Sequence, residues 1–401
     1  MSAKSFKYAI IGGGLTGDAA VKGIRELDHD GAILLIGKEQ HLPYDRPPLS
    51  KKLWFGKKRI EDIFLHDTNY YAEQGVELCL GAEVINLDIK QKTFPADNGG
   101  SYKYEKLLLA TGGTPRRLDI PGGDLEGVCY YRYLEDYLRI RGEAAEGKSA
   151  VVIGGGFIGT EIAAALNINK LKVTMLFPEE YIVSRVFPEG LGRAIQEDYI
   201  ARGVEILAGD TAVSLGNMNG KYITNTKAGK RIESDIVIAG VGIVPTVELA
   251  ERAGLEIENG VVVNEYLQTS HADIYAAGDL ANFPYQALGQ RRRIEHWDNA
   301  IHQGAHAGLN MTGAMEPFTY MPYFFSDLFD FGYEAVGEVD SRLETFADWK
   351  EENETGVIYY LAEGKVRGAM MCNVWDKVEA ARELIQKGER VKPEKLKGAI
   401  S

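Results

Sequence analysis

A chain of 401 residues is long enough for about two or three domains, each able to bury its own core. Its formal net charge of −13 opposes contact with nucleic acid or an anionic membrane surface and favours a cationic or neutral partner. Cys79, Cys129 and Cys372 lie far apart with no C-x-x-C pair, which excludes a dithiol relay unless distant thiols meet; inert thiols in a reducing compartment are expected.

The chain enters its first strand within a few residues, and no apolar run approaches bilayer length. A cytoplasmic protein without a leader or membrane insertion is expected. The segment Tyr8-Ala9-Ile10-Ile11 reads as a buried parallel strand, and Asp18-Ala19-Ala20-Val21 starts a helix. Between them runs Gly12-Gly13-Gly14-Leu15-Thr16-Gly17, the G-x-G-x-x-G arrangement of a dinucleotide-binding crossover. The first glycine permits the tight turn, the second admits a pyrophosphate to the backbone, and the third lets helix pack on strand. The anion then sits on unpaired N–H groups at the positive end of a helix dipole.

Ala32 to Ile36 reads as the second buried strand, and an acid is wanted at its end for the adenosine ribose. Glu39 is the candidate, with a solvated loop charge as the other reading. Next, Pro43-Tyr44-Asp45-Arg46-Pro47-Pro48-Leu49-Ser50-Lys51 reads as an extended turn in which Ser50 can cap the segment after it. It either presents Arg46 and Lys51 to a phosphate and an electron-rich ring, or is a surface turn with a solvated basic rim. A further buried strand, Lys106 to Ala110, ends in Thr111-Gly112-Gly113-Thr114-Pro115-Arg116, where the chain leaves one domain at a ligand-binding edge.

The glycine loop then recurs. Val151-Val152-Ile153 leads into Gly154-Gly155-Gly156-Phe157-Ile158-Gly159, and Lys172 to Phe177 forms that unit's second strand, followed by Glu179 and Glu180. One such loop is a weak signal; two suggest two dinucleotides and electrons moving between them. Paired carboxylates at this ribose position bond hydroxyls and repel a 2′-phosphate, so NADH is preferred to NADPH, with Arg185 a nearby complication. The strand Asp235 to Ala239 and the loop Gly240-Val241-Gly242-Ile243-Val244-Pro245 return the chain to the first domain. There, Asp273 to Ala277 reaches Gly278-Asp279, whose carboxylate can bond a polyol.

From about Thr319 the sequence turns aromatic and β-rich. Val357 to Leu361 meets Val366 to Met371 across a turn at Glu363-Gly364, and Asp376 to Gln386 is an amphipathic helix. The fold class expected is α/β: two Rossmann-like dinucleotide-binding domains, the second inserted in the first, plus a small C-terminal α+β domain. The expected spans are 1–116 with 245–317, then 117–244, then 318–401.

With these strings in order, the chain resembles the FAD-dependent pyridine-nucleotide oxidoreductases from end to end. Pro47-Pro48-Leu49-Ser50-Lys51 and the absence of a dithiol point to the ferredoxin-reductase and apoptosis-inducing-factor branch. Ala110 to Arg116, Leu176-Phe177-Pro178-Glu179, Arg291-Arg292-Arg293-Ile294-Glu295-His296 and Asn310 to Ala314 look closest to apoptosis-inducing factor. The resemblance implies FAD in the first domain, on Gly12, Gly13, Gly14, Leu15, Thr16 and Gly17, with Glu39 at the ribose. Arg46, Lys51, Val84, Thr111, Gly112, Arg116, Gly278 and Asp279 complete the implied FAD contacts. It implies NAD(H) in the second domain, on Gly156, Phe157, Ile158, Gly159, Glu179, Arg185 and Gly242. Glu295, His296, Trp297 and Glu334 would border the nicotinamide and flavin rings. Lys51 and Glu161 match a lysine–glutamate pair beside flavin N5, a pairing that a buried ammonium requires on physical grounds.

The sequence departs from the family at three places. Lys38 stands where an acid is usual, leaving the adenosine grip to Glu39. Phe325 replaces a tryptophan over the flavin, keeping an aromatic lid without the indole N–H. The C-terminal domain lacks the long insertion of apoptosis-inducing factor, so a redox-released loop, mitochondrial import and nucleic-acid binding are not carried over. Outside the resemblance, His302 and His306 have the spacing of a zinc pair, but Gln303 replaces the glutamate of H-E-x-x-H, so a polar helix face is expected and no metal. The run Arg291 to Arg293 is read as a solvated strand edge, and the aromatics from Tyr320 to Tyr333 as mostly core, with Phe325 the one assigned to the cofactor.

The implied activity is hydride transfer from NADH to flavin N5, with electrons passed on to a ferredoxin- or rubredoxin-type protein, a quinone or dioxygen. The alternative is an NADH-responsive redox sensor with a long-lived reduced-FAD–NAD complex. The oligomeric state is left open, a homodimer included.

Overall fold

Strand Lys4–Ile11 extends beyond its apolar half because its polar first residues are also paired: Lys4 opposes Tyr102 and Ser5 opposes Lys103. This is a computed structural model, and it describes residues 3–400; Met1, Ser2 and Ser401, at the ends of the expected domain spans, lie outside the described residues. The chain divides into two units. The first comprises Met1–Asp45, Ile60–Thr114 and Val244–Pro322, and the second Arg46–Arg59, Pro115–Ile243 and Tyr323–Ser401.

In the first unit a parallel sheet runs in the order Ile274–Ala276, Ser101–Leu109, Lys4–Ile11, Ile33–Gly37, Val76–Leu80. Ile33–Gly37 is buried throughout, which is why it reads as a continuous apolar run rather than an alternation. Each such aliphatic side chain contributes roughly 1.5–3 kcal/mol by leaving water. Helices Leu15–Arg25 and Trp297–Met311 pack at backbone contact: a Cβ added at Gly308 would lie 2.2 Å from the Ala20 carbonyl oxygen. That close approach fixes the helix that follows the first glycine loop.

The second unit carries a parallel sheet in the order Glu205–Ala208, Lys172–Phe177, Ser149–Ile153, Ile236–Ala239, Cys129–Tyr130. A five-stranded antiparallel sheet, ordered Tyr323–Leu328, Phe331–Gly337, Lys365–Cys372, Thr355–Ala362, Glu344–Glu351, forms the C-terminal part with helix Val378–Lys387. Glu363 and Gly364 both take positive φ, 53° and 72°, as a two-residue hairpin turn requires. The expected α/β class with a C-terminal α+β part is thus observed.

Several local expectations are corrected. Pro47–Ser50 is a 3₁₀ turn, not an extended one, because proline's fixed φ suits the first turn of a helix. The antiparallel sheet of Ala212–Met218, Lys221–Thr226 and Arg231–Ser234 was not anticipated. Its signal was Asn219-Gly220, both at positive φ, between half-exposed strands. Cys79, Cys129 and Cys372 are free thiols, and burial pushes Cys129 up to about 12, which makes it a poor nucleophile. Among the described residues, no helix is long and apolar enough to cross a membrane.

Candidate functional site

The first unit presents a loop shaped by what its glycines exclude. Gly12 has φ 133°, and a Cβ there would lie 2.1 Å from the Ala110 carbonyl oxygen; one at Gly17 would lie 2.1 Å from that of Gly12. Around Gly14 there is open space, and Gly14 caps helix Leu15–Arg25 without a side chain to satisfy its first N–H groups. A closed turn, an open middle and unsatisfied donors at a helix start fit the pyrophosphate of a dinucleotide.

The Gly278 backbone packs against that loop at Thr16. Gly278, at φ 77°, lies so close to Thr16 that an added Cβ would sit 2.3 Å from Thr16 Oγ1, and its N–H donates to Gln303 Oε1 at 2.9 Å. Asp279 therefore emerges beside the helix start, and Arg293 donates to its carbonyl at 3.0 Å while pairing with Glu295. Beyond the second strand, Glu39 accepts the Tyr44 hydroxyl at 2.5 Å, whereas Lys38 turns to Glu83 at 2.8 Å. Thr111 Oγ1 donates to the Thr246 carbonyl at 2.9 Å, Gly112 takes φ 64°, and Val84 is buried. Trp297 Nε1 donates to Asp45 Oδ1 at 2.9 Å. His296 caps helix Trp297–Met311; burial lowers its pKa to about 4 against the opposing pull of Asp279 and Asp298, so its ring is neutral at pH 7.

The same loop geometry recurs in the second unit. Gly154 has φ 119°, with a Cβ there 2.3 Å from the Gly240 carbonyl oxygen, and one at Gly159 would lie 2.0 Å from that of Gly154. Gly156 is open and caps helix Phe157–Ile168, so this loop too fits a pyrophosphate. Phe157 meets Phe324 at 5.7 Å between centroids, and Ile158 is exposed. Glu179 is half-buried just past strand Lys172–Phe177, while Glu180 is committed to Arg193 at 3.0 Å. The expected pair of ribose carboxylates is thereby reduced to Glu179. Arg185 has an exposed side chain and fixes its carbonyl on the Ser341 N–H at 3.0 Å. The exposed Gly242, at φ 94°, accepts the Arg116 N–H at 2.9 Å, and the Arg116 side chain is exposed.

The second unit also holds the ion pair. Lys51 Nζ lies 3.1 Å from Glu161 Oε1, with side-chain exposures of 5% and 7%. The Phe325 ring covers the ammonium, with its centroid 4.6 Å from Nζ. Ser50 and Ser326 donate to the Glu161 carboxylate. Ser50 is therefore a carboxylate partner rather than the cap expected. Arg46 lies over the Tyr133 ring at 5.4 Å. Glu334 opposes Phe325 across the strand pair, and its pKa is raised by burial, with the Asp376 carboxylate adding to it.

The histidine pair and the arginine run each have partners in the structure. His302 Nε2 lies 3.4 Å from Asp298 and its ring stacks on Tyr320, while His306 Nε2 meets the Glu316 carbonyl. The arginine run is not simply a solvated edge: Arg291 donates to the Val263 and Asn282 carbonyls, and Arg293 to that of Asp279. Ser326, Gln303 and Arg293 are the residues that sequence reasoning missed, because their partners are remote in the chain.

A family model described as pyridine nucleotide-disulphide oxidoreductase matches residues 6–304, and one described as apoptosis-inducing factor, mitochondrion-associated, C-term matches 307–355. The chain is 35% identical to apoptosis-inducing factor 1, mitochondrial, of Dictyostelium discoideum, over 96% of this chain and 79% of that protein. It is 33% identical to monodehydroascorbate reductase 4, peroxisomal, of Arabidopsis thaliana, over 92% of this chain and 79% of that one. A chain in the crystal structure of the covalent putidaredoxin reductase–putidaredoxin complex superposes with TM-score 0.92 at 30% identity, covering 98% of this chain and 96% of that chain.

Proposed function

The chain belongs to the pyridine nucleotide-disulphide oxidoreductase family and is an FAD-dependent NAD(P)H oxidoreductase; from that premise we propose that it oxidises NADH in preference to NADPH and delivers the electrons one at a time to an acceptor. The observation that carries the reading is the pair of glycine loops, each closed where a Cβ would clash and open at the helix start. Bound FAD supplies the electron chemistry, taking a hydride from the reduced nicotinamide and releasing electrons to the acceptor.

The protein's own residues bind, orient and tune. In the first unit the N–H groups from Gly14 onward hold the pyrophosphate, Glu39 the ribose, and Asp279 the polyol. In the second, the N–H groups from Gly156 onward hold the nucleotide, and Glu179 bonds a ribose hydroxyl and repels a 2′-phosphate. Lys51 is assigned as the cation that stabilises negative charge on the reduced cofactor, with Glu161 as its ion-pair partner. His296 stays neutral and polar near the reacting rings.

One-electron delivery is supported by the names of two relatives, since putidaredoxin is a redox protein and monodehydroascorbate an organic radical. The Arg291 and Arg293 side chains are engaged by backbone carbonyls, which argues against that run as a docking patch for an acidic redox protein. A cytoplasmic location agrees with the three free thiols. Stopped-flow reduction by NADH and by NADPH, followed by an acceptor screen at varied salt, tests the proposal; preference for NADPH, or turnover only with quinones or dioxygen, sinks it.

A second reading, a redox sensor, is favoured by the apoptosis-inducing-factor match over residues 307–355. NADH added under air and under argon separates the two. Fast reoxidation supports the enzyme, and a persistent long-wavelength band with negligible turnover supports the sensor.

A further inference from the structure

Two hydroxyls hold the carboxylate of the Lys51–Glu161 pair. Ser50 Oγ donates to Glu161 Oε2 at 2.5 Å, and Ser326 Oγ donates to Oε1 at 2.5 Å, the oxygen that Lys51 Nζ meets at 3.1 Å. Both serines are buried, with exposures of 2% and 1%. They reach Glu161 from separate elements: Ser50 ends the Pro47–Ser50 turn, and Ser326 lies in strand Tyr323–Leu328. Each is also the chain neighbour of a group that touches the ammonium. Ser50 precedes Lys51 itself, and Ser326 follows Phe325, whose ring lies 4.6 Å from Nζ.

A buried carboxylate needs its lone pairs filled, and hydrogen bonds to an ionised acceptor are the strong kind. With one donor, Glu161 would draw its whole compensation from Lys51 and quench most of the ammonium's field. With three donors the negative charge is shared, and the carboxylate cannot rotate without breaking a bond on each oxygen. We propose that Ser50 and Ser326 are positioning residues: by sharing the charge of Glu161 and fixing its plane, they leave the Lys51 cation free to stabilise the reduced cofactor. The inference rests on the reading of Lys51 as that cation.

The test is the midpoint potential of the FAD-loaded protein. Ser50→Ala and Ser326→Ala should each lower it by about 30 mV, a tenfold change in a two-electron equilibrium. Ser326→Thr, which keeps the hydroxyl, should stay at the wild-type value. In a Glu161→Gln background the Ser326→Ala shift should shrink severalfold, because the serine acts through that carboxylate. Potentials unchanged in both alanine variants while Lys51→Ala shifts it would overturn the serine proposal alone. So would a Ser326→Ala shift of full size without Glu161. No shift in Lys51→Ala would overturn the reading of Lys51, and the serine proposal with it. Should Ser50→Ala fail to load FAD, the Ser326 variants decide the matter.

Discussion

Glu334 stands directly across the strand pair from Phe325, and its Oε2 is buried with no hydrogen-bond partner among the described residues. Burial, with the Asp376 carboxylate, raises its pKa, so the folded state holds the proton more tightly than the unfolded chain. The stability this provides is present in acid and is lost as the pH rises through the folded value. Glu334→Gln removes the titration. Its Tm relative to wild type should therefore climb as the pH rises from 4.5 to 8.5. Paired thermal melts with a flat difference would refute this.

Lys51→Ala leaves Glu161 buried without its cation and should cost roughly 3–5 kcal/mol. It should also slow flavin reduction by about tenfold or more, as expected for a lost electrostatic contact. Adding Glu161→Gln should recover most of the stability and none of the rate. Urea unfolding and stopped-flow absorbance on the three variants read both effects; recovery of the rate in the double variant would contradict Lys51's role.

Glu179 and Glu180 are adjacent but differently engaged, which makes them separable. Glu179→Ala should lower kcat/KM for NADH and raise it for NADPH, changing their ratio by about 100-fold, the worth of roughly 3 kcal/mol of selectivity. Glu180→Ala, which only releases Arg193, should leave the ratio within about twofold of wild type. Equal effects of the two substitutions would count against Glu179 as the ribose ligand.

His296 is lowered to about 4 by burial, against an ordinary value near 6.5. Between those values the unfolded chain binds the proton and the folded state does not, so stability rises with pH across the window and falls as the pH drops through it. The loss amounts to about 3 kcal/mol at most. Nitrogen-detected NMR of the imidazole should show a neutral ring from pH 5.5 to 8. A titration near pH 6.5 would show that burial does not govern this side chain.

Much of this architecture was legible in the sequence because its causes are local. Gly12, Gly17, Gly154 and Gly159 stand where a Cβ would strike backbone, so the G-x-G-x-x-G spacing reports geometry directly. Strand Ile33–Gly37 was legible, as Ala32 to Ile36, because a strand buried on both faces leaves an unbroken apolar run. Asn219-Gly220 carried an equally local signal that went unused.

By itself, then, the amino-acid order determined two nucleotide-binding crossovers and the tail of antiparallel strands, while the pairing of Lys51 with Glu161 was implied by the family resemblance and is met in the structure. The tertiary structure alone decided that Ser50 and Ser326 fill the glutamate's remaining lone pairs, that Arg293 holds the Asp279 backbone, and that Glu180 belongs to Arg193. The reason is range. Dihedral limits and apolar periodicity act over a few residues, whereas hydrogen-bond partners 111 or 165 positions apart in the chain are chosen by which elements pack together.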